Sequence, residues 1–322
     1  ISKHEAIMKA QSMLGLAEVK DPLAKIKARQ ADELARIAVL TKFYQKSLEQ
    51  MAKTEKAQVY AHDRGLAWQD LGIGYAGYHF GRSWNATLKK QAEGLGLLKL
   101  KNCLIFAMRN KLGQVVSIYG RSIAKTVKSK HFYLAGGHQG LYPKYPSLNT
   151  KVLIICESII DAASVQMGLG ADCAVLALYG TNGYTVDHGL LIKKLDSVEE
   201  VVLFFDGDGA GQAAVERVGR LVRLNQPRVK ISRVPTPDGE DANSMLVGHE
   251  AEVIGHLLDQ RRTLDIGAMM PEHEGIGQLD TQNPELLRYQ TDGVSISLMG
   301  GIKITGLDRL RVTLKIEATG HL

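Results

Sequence analysis

The stretch Val201-Val-Leu-Phe-Phe205-Asp206-Gly-Asp208-Gly-Ala-Gly211 decides the reading of this chain. Five apolar residues in a row describe a strand covered on both faces, because a strand with one wet face alternates. Two aspartates and three glycines follow at once. In open α/β sheets ligands bind at the carboxyl ends of the strands, so this is where chemistry is expected. Taken alone, a D-x-D after a strand reads as a helix cap or a turn, with Asp206 capping a helix that opens near 210. The run also has the look of a calcium loop. The missing downstream glutamate and the buried strand before it argue against an EF-hand.

Working outward, the same grammar repeats. Val152–Ile155 is a continuous apolar run ending at Glu157, with a helix expected from about 158 to 168. Cys173–Leu178 reads as a strand, 186–195 as a helix, 210–224 as a helix and Val229–Val234 as a fourth strand, followed by Asp238, Glu240 and Asp241. This order predicts an α/β fold with a mostly parallel sheet flanked by helices.

Acidic residues thus gather at several strand ends. Carboxylates held close repel one another, and a hard divalent cation relieves them. Mg²⁺, or Mn²⁺, takes oxygen ligands and keeps water and substrate phosphate in its shell. Glu157, Asp206 and Asp208 are the candidate catalytic residues, and with Asp161 and Asp241 the candidate metal set. Asp161, four residues after Glu157, shares its helix face. Gly207, Gly209 and Gly211 would let the backbone approach a phosphate.

The flanks differ. Residues 1–60 are rich in Ala, Lys, Glu, Gln and Leu and read as a helical connector, with Asp21-Pro22 able to open a helix. Residues 61–150 read as a basic α+β subdomain. In it a helix is expected near 83–93, strands at 103–108 and 115–119 form a hairpin, and a basic segment runs through Arg121, Lys125, Lys128 and Lys130. That segment, with Arg109 on the hairpin and His131, Phe132 and Tyr133 alongside, could track single-stranded nucleic acid. It could equally be a solvated hairpin flank with core aromatics. Trp68 and Trp84 read as core, and His131, His138 and His188 as ordinary surface or loop residues. Residues 151–264 form the α/β domain, 265–290 a linker and 291–322 a short β-rich segment.

Bulk composition sets the outer limits. The 322 residues are 45% hydrophobic and 23% charged, enough for a sizeable core without staples. The net charge of +6 favours a polyanionic partner. The 3 cysteines, Cys103, Cys156 and Cys173, make no zinc-ligand pair and fit a reducing, cytoplasmic setting. No apolar run suggests a membrane span and no signal peptide is visible. The chain opens at Ile1 rather than Met, so a fragment or processed product is expected.

The runs Glu157-Ser-Ile-Ile-Asp161, Leu178-Tyr-Gly-Thr-Asn182, Asp206 to Gly211 and Pro237-Asp-Gly-Glu-Asp241-Ala-Asn243 resemble the Toprim domain of DnaG-type bacterial primases. Upstream, Phe43 to Leu48, Arg64-Gly-Leu66, Ile73 to Ala76 and Gly113 to Arg121 resemble the N-terminal part of the primase polymerase core. The likeness covers roughly 40–250, and Lys130-His-Phe-Tyr-Leu-Ala-Gly136 is closer to primase-like proteins of mobile elements. The resemblance implies primer synthesis from nucleoside triphosphates on a single-stranded DNA template, with a replicative helicase as partner. It implies Glu157 as base or metal ligand, Asp206 and Asp208 as Mg²⁺ ligands, Asp161 and Asp241 completing the cluster, and Arg121 and Lys130 on phosphates. Two departures stand out. Asn243 occupies the place of an Asp, which puts a second metal in doubt, and Cys103 that of an Arg near the nucleotide. The family's zinc module would lie upstream of Ile1, so no zinc site is expected in this fragment. The alternatives are a strand-cleaving Toprim nuclease or topoisomerase, and a non-catalytic DNA-binding accessory module. Against the first, no P-loop of an ATPase partner domain is present.

Overall fold

The structure is a computed structural model that describes residues 22–135, 137–170, 172–249, 252–266, 278–280, 283, 286–290, 294–306 and 309–318. The chain divides into two compact units, Glu33–Ala268 and Ile1–Asp32 with Met269–Leu322. The expected separation of a connector, a basic subdomain and an α/β domain therefore gives way, over residues 33–268, to one body.

Helix α1 (Pro22–Met51) begins at the proline that suits a first turn. The expected cap Asp21 lies outside the described residues. Leu40, Phe43, Tyr44 and Ser47 fall at helical spacing and are all buried. The helix is thus a wall of the core rather than a connector. α2 (Glu55–His62) follows, then strand β1 (Gly74–Ala76) and helix α3 (Ala86–Gly94), whose Asn85 side chain accepts from the Leu88 amide at 2.8 Å. β2 (Cys103–Arg109) and β3 (Val115–Ser122) form the expected hairpin, and β4 (His131–Tyr133) joins them. The antiparallel order is β1-β2-β3-β4.

The second sheet has the order β6-β5-β7-β8-β9. β5 (Val152–Cys156), β6 (Cys173–Ala177), β7 (Glu200–Phe204) and β8 (Lys230–Arg233) run parallel, and the short β9 (Arg262–Thr263) closes the edge antiparallel. Helices α4 (Ile159–Gln166), α5 (Val186–Ile192), α6 (Gly209–Asn225), α7 (Ala242–Gly248) and α8 (Glu252–Asp259) cover it. Alternate residues of β5 feed two cores. Leu153 and Ile155 pack with Val218, Val222 and Ile231, whereas Ile154 and Cys156 join Phe106 and Tyr119 of the other sheet. One core therefore spans both sheets. After β5 the chain crosses to β6 on one side and then to β7 on the other. The carboxyl ends of β5 and β7 consequently flank a topological switch point, where a crevice opens.

In the other unit β10 (Gln278–Asp280), β11 (Leu286–Gln290), β12 (Val294–Gly306) and β13 (Arg309–Ala318) make an antiparallel meander in sequence order. β10 and β11 lie where a linker over 265–290 was expected. Leu287 pairs with Leu298 and Tyr289 with Ile296. A short mixed run finds its strand partner through that pairing, which its own composition does not show.

Candidate active site

The β5–β7 register places Cys156 beside Phe204. Glu157 therefore leaves β5 next to the point where Asp206 leaves β7. Asp241 arrives by a longer route after β8. The turn at Gly207 holds it there: Gly207 N–H donates to Glu240 O at 2.8 Å, and Gly239 N–H to Gly207 O at 2.9 Å. A Cβ on Gly207 would collide with the Pro237 carbonyl, and one on Gly211 with the Asp206 carbonyl. These two glycines are thus required by the protein's own backbone, not by room for a phosphate, while Gly209 faces open space.

Glu157, Asp161, Asp206 and Asp241 line one cleft of about 450 Å³ together with Arg64, Arg121, His131, Tyr133 and Tyr179. Asp208 is exposed and caps α6, its Oδ1 accepting from Gly211 N–H at 2.7 Å. The cap expected at Asp206 thus falls two residues later, at Asp208, and Asp206 is left to the cleft. Asp241 caps α7 in the same way, accepting from Ser244 N–H at 2.6 Å. Asp161 is 4% exposed; it accepts from Ser158 Oγ at 2.5 Å and from Asn243 N–H at 3.2 Å.

Glu157, Asp161 and Asp206 hold on to their protons. Burial, then the charges of Asp161 and Asp208, pushes Glu157 up to about 7. Burial and Asp241 push Asp161 up to about 7. Burial, Glu157, Asp241 and Asp208 do the same to Asp206, also to about 7. One Glu157 oxygen, Oε2, is buried without a hydrogen-bond partner. An orphaned carboxylate oxygen among mutually repelling acids is a setting that a hard cation relieves. Yet no group of three or more such side chains converges on a metal position among the described residues. The donor set fits an ion held through one or two carboxylates with water completing its shell, rather than a closed protein cage.

The basic residues part company. Arg121 reaches the cleft. Arg109 does not: the register sets Arg121 opposite Leu104 and Arg109 opposite Val115, at the two ends of the β2–β3 ladder and roughly 17 Å apart along the strand. There Arg109 donates to Gly113 O at 2.9 Å and stands over the Tyr44 ring. Lys130 is absorbed by its own loop, donating to the Ala124 carbonyl, and Lys128 is exposed on that loop. Neither lines the cleft. Cys103 is fully buried with its thiol pushed up to about 12 by desolvation, so it is a core residue.

Four residues take places here that their sequence context alone does not assign. Arg64 lines the cleft, its Nη1 donating to Asn243 Oδ1 at 2.7 Å and its Nε to Tyr60 OH at 3.2 Å. His131 is no bystander. The β3–β4 register pairs it with Arg121 and pairs Tyr133 with Tyr119, so all four share one face. His131 Nε2 accepts from Arg121, which can only donate, and Nδ1–H is then left to face Tyr119 OH at 2.9 Å. Burial, then Arg121 and Arg64, lowers the His131 pKa, so the ring is neutral. The period-two spacing of 119/121 and 131/133 was the signal available. His188, also read as a surface residue, is fully buried; desolvation lowers it to about 4 and Nε2 bonds Ala177 O at 3.0 Å. His138 stacks on Tyr179 at 4.5 Å.

Residues 154–246 match the Toprim-like family. A DNA primase of Haemophilus influenzae is 27% identical over 52% of this chain and 29% of its own length. A DNA primase of Rickettsia felis is 24% identical over 82% of this chain and 47% of its own length. The chain therefore spans less than half the length of these relatives. Among solved structures, a DnaG primase catalytic domain bound to single-stranded DNA superposes with a TM-score of 0.59 at 17% identity, over 72% of this chain and 81% of that one. The fold of residues 33–268 is thus that of a DnaG catalytic core. Among the described residues no helix is long and apolar enough to cross a membrane.

Proposed function

We propose that this chain, a Toprim-containing relative of the DnaG-type bacterial DNA primases, synthesises short primers on single-stranded DNA by metal-dependent nucleotidyl transfer. One observation carries the reading: a single cleft at the switch point holds four carboxylates and two guanidiniums, and neither guanidinium is ion-paired among the described residues. Acids without cations to neutralise them, beside cations without acids, suit a ligand that brings both a metal and phosphates. A nucleoside triphosphate is such a ligand.

In this reading Glu157, Asp206 and Asp208 serve Mg²⁺ or Mn²⁺, one or two of them bound directly and the rest through water, Asp241 adds negative charge, and Asp161 is the buried support beneath them. Such an ion supplies charge neutralisation at the reacting phosphoryl group. Arg64 and Arg121 grip the triphosphate, and Tyr133 and His131 offer ring surface nearby. Catalysis rests on positioning and preorganised charge. A single-stranded DNA template, nucleoside triphosphates and a replicative helicase are the proposed partners.

The test is primer synthesis on single-stranded DNA with labelled nucleotides and Mg²⁺ or Mn²⁺. Asp206→Asn is expected to reduce product about 100-fold or more, as loss of a group that stabilises transition-state charge does. Asp206-dependent degradation of the template instead would assign strand cleavage. Wild-type protein that makes no product would leave a DNA-binding accessory role.

A further inference from the structure

Asn243 is 2% exposed, and both ends of its side-chain amide are hydrogen-bonded. Its Oδ1 accepts from Arg64 Nη1 at 2.7 Å. Its Nδ2 donates to Arg64 O at 2.9 Å and to Ser164 Oγ at 2.9 Å. Its backbone N–H donates to Asp161 Oδ1 at 3.2 Å. The amide orientation is forced, because a guanidinium only donates and a carbonyl only accepts. One residue of α7 therefore grips both ends of Arg64, 179 positions away in sequence, and fastens it to α4 and the acid cluster.

The electrostatics of this clamp are distinctive. Arg64 is held by neutral groups throughout: the Asn243 amide, the Tyr60 hydroxyl at 3.2 Å and the Tyr60 ring at 5.5 Å. It makes no ion pair with a carboxylate among the described residues, although Asp161 accepts from the adjoining Asn243 N–H. A carboxylate at 243 would accept from Arg64 equally well. It would also cancel the guanidinium charge and lose both donations, to Arg64 O and to Ser164 Oγ.

We propose that Asn243 is a positioning residue that presents Arg64 to the cleft as an uncompensated cation, so that Arg64 binds the phosphates of an incoming nucleotide. The proposal rests on the reading of the cleft as a nucleoside triphosphate site. Asn243 itself touches no substrate and acts through Arg64.

Titration calorimetry with inorganic tripolyphosphate in EDTA measures the anion subsite without metal or turnover. Arg64→Ala is expected to weaken binding about tenfold or more, the size of a lost charge-assisted hydrogen bond. Asn243→Ser is expected to weaken it severalfold, and the double variant to bind no worse than Arg64→Ala, since the serine acts through the arginine. In primer synthesis Asn243→Ser should raise KM for nucleotide and leave kcat within about twofold, whereas general loosening of the fold lowers both. If Arg64→Ala binds tripolyphosphate like the wild type, the nucleotide reading of the cleft fails. If Arg64→Ala weakens binding but Asn243→Ser does not, or the two losses add, that reading stands and the role of Asn243 is overturned. Should Asn243→Ser fail to fold, Asn243→Asp takes its place in the same cycle. It is expected to weaken binding through charge cancellation, and wild-type affinity in it would overturn the proposal.

Discussion

Glu157, Asp161 and Asp206 each sit near 7 in the folded protein, well above the roughly 4 of an unfolded carboxyl. Between those values the folded state binds more protons than the unfolded one. The stability this contributes is complete at low pH and is lost as pH rises through about 7. Glu200 works the other way. Burial opposes its ionisation, but hydrogen bonds from Arg261, Ser232 and Lys230 bring it down to about 2. Its contribution is complete above the unfolded value and fades only as pH falls towards 2. Without divalent cations, stability should therefore fall by on the order of 1–2 kcal/mol after solvent screening between about pH 5 and pH 8, seen in thermal melts as a falling melting temperature. Asp206→Asn should flatten that slope, and Mg²⁺ should restore stability at the alkaline end. A wild-type profile without slope would mean that neither burial nor mutual repulsion raises these carboxyls. Such coupling was only half legible in the sequence. Glu157 and Asp206 could be placed at strand ends from the apolar runs before them. Arg64 gave no such sign, because its partner Asn243 lies in a different element, brought close only by packing.

At the level of elements, Asp208 makes a helix cap and, in the proposed reading, also serves a metal, and substitution can separate the two. Its carboxylate caps α6 through Gly211 N–H, and asparagine caps a helix as well as aspartate does. Asp208→Asn should thus leave urea stability within about 0.5 kcal/mol and abolish primer synthesis if the charge serves a metal. Asp208→Ala should also cost about 1 kcal/mol of stability, the usual worth of an N-cap. Equal activity in Asp208→Asn and the wild type would reduce the residue to a cap. Gly207→Ala tests the neighbouring turn. Because its Cβ meets the Pro237 carbonyl, one of the two backbone hydrogen bonds that carry Asp241 into the cleft must lengthen. We expect a loss of about 2 kcal/mol or more in chemical denaturation, with activity falling in parallel. Gly209→Ala, which faces open space, should lose far less. The sequence marked all three glycines alike. What separates them is the approach of the 237–240 loop, whose path is set by hydrogen bonds between segments some thirty residues apart. The β5 and β7 strands, by contrast, were plain from composition, since burial on both faces leaves an uninterrupted apolar run.

Across the whole molecule, cooperativity should follow the cores rather than the boundaries that composition suggests. A shift at about residue 150 separates a basic, glycine-punctuated segment from alternating strands and helices, and the sequence invites a domain border there. Packing does not honour it. Phe106 and Tyr119 from one sheet share a core with Ile154, Cys156 and Val202 from the other, and Asn243 ties Arg64 to Ser164 across the same divide. Cutting between the sheets would expose a large apolar face on each side, which small domains do not survive. The two sheets are therefore expected to unfold as one transition, while the antiparallel meander of β10 to β13, which belongs to the other unit, unfolds independently. Hydrogen exchange under increasing denaturant measures this directly. Amides of β2 and β3 should open with the same free energy and denaturant dependence as those of β5 and β7, and amides of β12 and β13 with different values. Chain ending at Ala268 should keep the first transition within a few degrees of the full-length protein and retain the cleft's affinity for tripolyphosphate. If β2–β3 instead opened before β5–β7, the shared core would contribute little to stability. The guanidiniums and carboxylates of the cleft would then be held together by the ligand rather than by the fold.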